Sequence, residues 1–413
     1  MQLDSAFFRH QRGRLVASLT RVFGAHNLAL AEDVAQETLA HAFEVWSDSG
    51  VPDHYEAALM TAAKNRAIDV FRRHATRSRL APALERTLQS EWTLRPVVDE
   101  LFLPAVLRDD ELRMMFTICD PDLAEEVQVA LILNILCGFS AEEIANAYLA
   151  GIHAIEKRLS RGKKVLASGA RLFELTEADF DVRLAAVRRA LYVLFSEGYH
   201  GSGDTIVRED LCRQALRVVT LLLQHEPAAT PATCALAALM YLLQARLAAR
   251  TTELGELIDL GNQDRRRWDG ALIAEGLALL ERASVGAEVS TYHVEAAIAG
   301  LHASASSLDT TRWAEIVHLY DIHMRIAPSP VVALNRAIAL AHLDGPSAGL
   351  AALDQIDGSD RLRDYPFFEA AWGELESRRG RPDAARSHFE AALALARNAS
   401  EREFLQRRIR ACG

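Results

Sequence analysis

The sequence predicts an all-α protein, and three observations support this fold class. Apolar residues recur every three or four positions through most of the 413 residues, with Ala and Leu prominent among them. Glycine and proline stand between these periodic segments, where helices end. A turn with glycine and proline precedes an Ala-rich helix at Gly345 and again at Gly380, and this interval of 35 residues indicates a helical repeat.

The composition bounds the size and the environment of the protein. Half of the residues are hydrophobic, which suffices for sizeable cores, and the length allows two or three domains. A net charge of -10 excludes a uniformly basic coat protein, so any contact with nucleic acid must come from local clusters. The five cysteines contain no C-x-x-C pair, which argues against a zinc ribbon or a disulfide framework. We find neither a signal peptide nor a membrane span, and we expect a cytoplasmic protein with no membrane partner.

The first two helices are predicted over residues 3–23 and 30–46. The second carries an acidic, amide-bearing side with Asp33, Gln36 and Glu37. Acidic residues suit the positive N-terminal end of a helix, so this side is explained by helix-start chemistry. The alternative is a docking surface for a basic partner helix.

A third helix is predicted over residues 57–74, apolar on one side and cationic on the other. Six Lys or Arg residues and one Asp lie between Lys64 and Arg79, a local charge of about +5. This pattern suits a nucleic-acid backbone and base edges, although a solvated charged face would look the same. The candidate contacts are Lys64, Asn65, Asp69, Arg72 and Arg73.

A helix-turn-helix is predicted after a loosely patterned linker that holds a short helical piece around residues 84–92. A helix over residues 123–136 stops at Gly138, and Ser140 with Glu143 forms a capping box for the next helix. A break at Gly151 leads into a strongly basic helix. Any short helix pair can imitate this motif. If it binds duplex DNA, Ile152, His153, Glu156 and Lys157 lie nearest the bases, and Arg158, Arg161, Lys163 and Lys164 lie nearest phosphate.

The remainder of the chain reads as packed helices, predicted over residues 175–199, 209–224, 230–250 and 259–283. The Arg265–Arg267 run is interpreted as surface, because Asp264 and Asp269 flank it. Near the C-terminus, Ala385, Phe389 and Ala392 have the spacing of the second helix of a tetratricopeptide repeat (TPR). Three such helix pairs would stack into a short superhelix with a concave face.

Residues 5–168 resemble bacterial RNA polymerase sigma factors of the extracytoplasmic-function type, in the sigma-70 family. The segment AEDVAQETLAHAFEVW (31–46) resembles the part of region 2 that binds polymerase. The segment ALMTAAKNRAIDVFRRH (58–74) resembles the part that melts and reads the -10 element, and residues 140–166 resemble region 4, which reads the -35 element. The remaining residues resemble the subgroup with a TPR-like C-terminal extension.

This resemblance implies a function and a division of the chain. Residues 1–76 would be region 2, 77–108 a linker, 109–170 region 4, and 171–413 the extension, which is expected to regulate or stabilise the sigma regions. Core RNA polymerase and promoter DNA would be the partners, with a regulatory protein or ligand possible on the extension. Asp33, Gln36 and Glu37 would contact polymerase, Lys64 to Arg73 the -10 DNA, and the basic helix the -35 DNA. Ala58 stands where the family has Trp, and Asp120 stands where this subgroup has His.

Three other classes compete with this interpretation. Glu37 with His41, and His318 with His323, have no third ligand nearby, and the sequence contains neither a P-loop nor G-x-G-x-x-G, so we expect no cofactor and no enzyme. A scaffold would have no need for the two basic helices. A promoter-independent repressor would use the helix-turn-helix without the acidic side around Asp33.

Overall fold

The computed structural model describes residues 5–24, 27–77, 104–120, 122–147, 151–168, 177–200, 207–252 and 256–413. In these ranges the chain consists of helices, turns and an isolated antiparallel bridge between Thr251 and Leu257. The all-α prediction is therefore confirmed for the described part of the chain. None of the helices within these ranges combines the length and the apolar character that a membrane crossing requires. The short helix predicted around residues 84–92 lies outside the described residues.

The chain divides into two compact units, Met1–Leu194 and Phe195–Gly413. The helices are numbered here along the described part of the chain. The first unit contains α1 Ser5–Phe23, α2 Leu28–Ser49, α3 Tyr55–Arg77, α4 Pro104–Ile118, α5 Glu125–Leu131, α6 Ala141–Ala147, α7 Ile152–Ser168 and most of α8, Glu177–His200. The division into regions 2 and 4 inside this unit stays a prediction.

Two boundaries of the first unit differ from the sequence prediction. The helix α4 begins at Pro104, inside the predicted linker, because a proline fits the first turn of a helix as well as it fits a linker. The segment predicted as one helix over 123–136 begins at Glu125 and ends in a π-helical turn, Ile132–Leu136. Gly138 ends it with a φ of +72°, a conformation that glycine adopts readily.

The core of the first unit forms where α1 meets α2, α4 and the π-helical turn. Leu15, Val16 and Leu19 are fully buried there. Gly13 brings the backbone of α1 directly against the π-helical turn, because a Cβ atom at this position would overlap the carbonyl oxygen of Leu136. Helix packing at this distance requires glycine.

The second unit contains the rest of the helices. They are α9 Glu209–Gln224, α10 Pro231–Gln244, α11 Leu247–Arg250, α12 Gly270–Ala283, α13 Thr291–Ser304, α14 Trp313–Ile326, α15 Pro330–Leu343, α16 Pro346–Asp354, α17 Pro366–Arg378, α18 Pro382–Ala394 and α19 Ala399–Arg410. The bounds of α9 are those the sequence predicts. The helix predicted over residues 230–250 is instead two helices. Its hydrogen-bond ladder is interrupted because the Ala245 carbonyl accepts from the Asp269 amide at 2.9 Å, while the Ala249 amide turns to Arg246.

Neighbouring helices of the second unit approach each other closely at small residues. Gly349 faces Ala341 between α15 and α16, and Gly373 faces Phe389 between α17 and α18. Ala385, Phe389 and Ala392 are all buried on α18, as their spacing predicts for a packed helix face. Consecutive helices from α14 to α19 contact one another.

Candidate nucleic-acid and partner interface

The predicted helix pair is present as α6 and α7. Ser140 and Glu143 form the predicted capping box: the Ser140 amide donates to Glu143 Oε2 at 2.8 Å, and the Glu143 amide donates to Ser140 Oγ at 3.1 Å. The α7 helix buries Ile155, Leu159 and Leu166. Its Gly162 lies directly against Leu131 and Val127 of α5, so this side of α7 is fixed to the unit.

The opposite side of α7 faces solvent. Six of the predicted DNA contacts are exposed there: Ile152, His153, Glu156, Lys157, Arg161 and Lys164. His153 Nδ1 lies 2.9 Å from Glu156 Oε2, which links two of these side chains. An exposed row that is rich in Lys and Arg and has a buried apolar back has the chemistry to bind a phosphate backbone.

The other two predicted phosphate contacts on α7 have carboxylate partners. Lys163 Nζ donates to both oxygens of Glu32 on α2 at 2.8 Å. Arg12 on α1 donates to the same carboxylate at 3.1 Å, so Glu32 joins three helices. Arg158 pairs with Glu126 at 2.9 Å. Neither Glu32 pair could be predicted from helical spacing, because Lys163 lies 131 positions and Arg12 lies 20 positions from Glu32, on other helices.

The predicted polymerase contacts lie on the outer side of α2. Asp33, Gln36 and Glu37 are exposed, and Glu37 accepts from Arg66 of α3 at 2.8 Å. Val34, Thr38 and Leu39 are buried on the other side. On the acidic side of α2, Glu32 therefore pairs with cations inside the unit, whereas Asp33, Gln36 and Glu37 face outward.

The α3 helix presents part of the predicted -10 contact set. Asn65 and Asp69 are exposed and Lys64 is half-buried, while Ala63 and Ala67 face the core. The side chains of Arg72 and Arg73 lie outside the described residues. The amide and carboxylate candidates on α3 are thus accessible to a ligand.

A buried carboxylate, Asp110, and a half-buried one, Asp120, hold α4 and the segment that follows it. Asp110 pairs with Arg21 of α1 at 3.0 Å, and burial raises the pKa of Asp110 to about 6. Asp120, one of the two residues that depart from the resemblance, accepts from Arg183 at 2.6 Å, and Arg183 also donates to the Phe116 carbonyl at 3.0 Å. This Asp therefore has a structural role in joining α4 to α8.

The Arg265–Arg267 run of the second unit does not lie wholly at the surface. Arg266 is exposed and binds Asp264 at 3.0 Å, as predicted. Arg265 is half-buried and donates to the carbonyls of His302 and Ala305 at 2.5 and 2.6 Å, so the surface interpretation is wrong for this residue. The free carbonyls at the end of α13 attract a guanidinium inward, a long-range contact that flanking acids do not reveal.

Comparison with known proteins places the chain in a family. The uncharacterized protein R00370 of Rhizobium meliloti (strain 1021) is 37% identical over 400 residues, which cover 96% of this chain and 93% of that protein. The chain belongs to the family of this protein. Residues 183–284 match DUF6596, a family of unknown function. No solved structure matches the chain.

Proposed function

We propose that the protein is a sigma factor that binds core RNA polymerase and directs promoter-specific initiation. The observation that carries this proposal is the exposed row on α7, which is rich in Lys and Arg and is held in place by a buried apolar back and a capped preceding helix. The motif resemblance over residues 5–168 supports the same function. A helix of this kind reads duplex DNA in the major groove, where a good bidentate contact gives about 1–3 kcal/mol of discrimination.

The exposed sides of α2 and α3 would bind polymerase and the -10 DNA, respectively. Asp33, Gln36 and Glu37 offer an acidic patch to a basic surface of polymerase, away from the core of the unit. Asn65 and Asp69 on α3, with Lys64, Arg72 and Arg73 on the same helix, would hold the -10 DNA. Stacked single-stranded bases contribute about 1–3 kcal/mol each in such grooves. Polymerase supplies the covalent chemistry.

Lys163 and Arg158 would reach phosphate only by leaving their carboxylates. Glu32 and Glu126 thus compete with DNA for two of the cations on α7. Exposed pairs such as Arg158–Glu126 contribute little and exchange easily, whereas Glu32 is only 14% exposed and holds two cations. We therefore expect Arg161, Lys157 and Lys164 to contribute more to DNA affinity than Lys163.

For the second unit we propose a TPR-like regulatory role. The consecutive packing of α14 to α19 and the glycine contacts at Gly349 and Gly373 support a stacked helical repeat. Removing residues 175–413 should change promoter-dependent transcription or the solubility of the chain. Unchanged transcription and unchanged solubility would contradict this role.

The test of the sigma function is binding of the full chain to purified core RNA polymerase. Asp33→Arg/Glu37→Arg should weaken binding by about tenfold or more, because it reverses the charge of the docking side. Glu44→Arg/Asp48→Arg is the matched control: it makes the same charge change at exposed positions of the same helix. Equal loss in both variants would indicate a general charge effect. No binding by the wild-type chain, combined with specific DNA binding, would favour a repressor instead.

A further inference from the structure

A cluster of side chains in the second unit has an excess of positive charge. Arg246 and Arg265 both lie against the ring of Trp268, with guanidinium carbons 5.1 and 4.7 Å from its centre. Arg265 also donates to the carbonyl of His302. These four residues, Arg246, Arg265, Trp268 and His302, are called the Trp268 cluster below.

Each member of the Trp268 cluster has a buried nitrogen without a hydrogen-bond partner among the described residues. The atoms are Nε of Arg246, Nη2 of Arg265, Nε1 of Trp268 and Nδ1 of His302. Trp268 is only 7% exposed. A buried donor that lacks an acceptor destabilises the folded state, so native proteins rarely leave several of them together.

The described residues also supply no carboxylate that compensates the charge of the cluster. Within the described residues, no ion pair joins Arg246 or Arg265 to a carboxylate. Arg246 donates instead to Gln263 at 3.4 Å, and Arg265 to backbone carbonyls. Burial together with Arg246 and Arg265 lowers the pKa of His302 to about 4, and burial and then Arg246 lower the pKa of Arg265. Bound water would satisfy the donors but would not neutralise two guanidinium groups.

The neighbouring acidic residues have other partners. Asp264 binds Arg266, and Asp269 accepts from the Ala271 and Leu272 amides at the start of α12.

A third arginine of the second unit, Arg250, is 8% exposed. It donates to the Tyr199 carbonyl and lies 3.8 Å above the Tyr199 ring. The fold therefore brings arginines into this part of the second unit and supports them with carbonyls and aromatic rings.

We propose that the Trp268 cluster binds the oxyanion group of a small ligand, a phosphate or a carboxylate. An oxyanion accepts several hydrogen bonds at once and supplies the negative charge that the cluster lacks. The two guanidinium groups and the indole N–H are its donors, and the neutral His302 donates from Nδ1. Arg246, Arg265 and Trp268 all lie in the segment that matches DUF6596. The site is distinct from the proposed polymerase and DNA surfaces and does not depend on the proposed function.

The direct test follows the indole N–H resonances of the ¹⁵N-labelled full chain during titration with sodium phosphate, sodium acetate or sodium chloride at constant ionic strength. Trp268→Phe assigns the Trp268 resonance. That resonance should move in a saturable way with phosphate or with acetate and should not move with chloride. A response to phosphate alone identifies a phosphate ligand, and a response to acetate alone identifies a carboxylate ligand. An immobile Trp268 resonance, or an equal response to chloride, would overturn the proposal.

Variants of three arginines test the position of the site. Arg246→Gln and Arg265→Gln should each remove the saturable response, and the matched control Arg266→Gln should keep it, because Arg266 is exposed and paired with Asp264. If Arg265→Gln does not fold, Arg265→Lys is measured in its place, because it keeps the positive charge. A response retained in Arg246→Gln, or lost equally in Arg266→Gln, contradicts the assignment. At 100 times its dissociation constant, whichever of phosphate and acetate moves the Trp268 resonance should also raise the wild-type unfolding midpoint by about 5 °C.

Discussion

Two groups of partly or fully buried cations, one in each unit, have different partners. In the first unit, cations pair with carboxylates from distant parts of the chain: Lys163 and Arg12 with Glu32, and Arg21 with Asp110. In the second unit, Arg246, Arg250 and Arg265 meet carbonyls and aromatic rings. Ion pairs between distant helices fix how those helices pack, whereas cations without carboxylates leave charge available for a ligand.

The largest effect on stability is expected at Gly13, where the backbone of α1 packs directly against the π-helical turn. Gly13→Ala places a Cβ atom against the backbone of Leu136, and backbone cannot rotate away as a side chain can. We expect a loss of about 3 kcal/mol or more in the free energy of unfolding. Urea denaturation followed by far-UV circular dichroism measures it. The control is Gly151→Ala, whose Cβ atom meets nothing within 4 Å and should change stability little.

The next effect concerns the pH dependence of the first unit. The raised pKa of Asp110, about 6 against an ordinary 3.8, means that the folded state binds this proton more tightly than the unfolded state. The stabilising contribution of protonated Asp110 is complete below about pH 4 and is lost as the pH rises to about 6. We expect the free energy of unfolding to fall by about 2–3 kcal/mol over this range. Asp110→Asn should remove this part of the pH dependence in urea denaturation. A variant with the wild-type pH profile would show that Asp110 is not the titrating group.

A smaller effect tests the three-helix ion pair itself. Glu32→Gln leaves Lys163 and Arg12 near each other without a negative charge, so we expect a loss of about 1–2 kcal/mol. A double-mutant cycle with Lys163→Met should give a coupling energy of similar size. Glu44→Gln, at an exposed position of the same helix, is the control. A coupling energy near zero would mean that the pair does not hold α7 to α2.

The smallest effect is the opposite pH response in the second unit. His342 stacks on Trp313 with ring centres 4.1 Å apart, and burial and then Arg378 lower the pKa of His342 to about 4. The unfolded state takes up this proton first, so stability is complete above about pH 6.5 and is lost as the pH falls towards 4. Because His342 is half-buried, we expect about 1 kcal/mol. His342→Gln should reduce the loss below pH 6.5 in urea denaturation, and the exposed His318→Gln should not.

The sequence was sufficient for features that depend on neighbours along the chain. The bounds of α9, the Ser140–Glu143 capping box and the stop at Gly138 follow from local hydrogen bonding and backbone preference, which a few adjacent residues decide. The exposed row on α7 follows in the same way from its helical spacing. The two-helix break after Gln244 could not be predicted, because the Asp269 amide that bonds the Ala245 carbonyl lies 24 residues after Ala245.

The sequence by itself therefore determined the helical class, most helix positions and which sides of α2, α3 and α7 carry charge. The tertiary structure alone decided which of those charges remain accessible. It turned Glu32 and Lys163 towards each other, and it drew Arg265 from a predicted surface run into the Trp268 cluster. The physical reason is that a side chain's environment depends on contacts between distant segments, and periodicity within one helix carries no information about them.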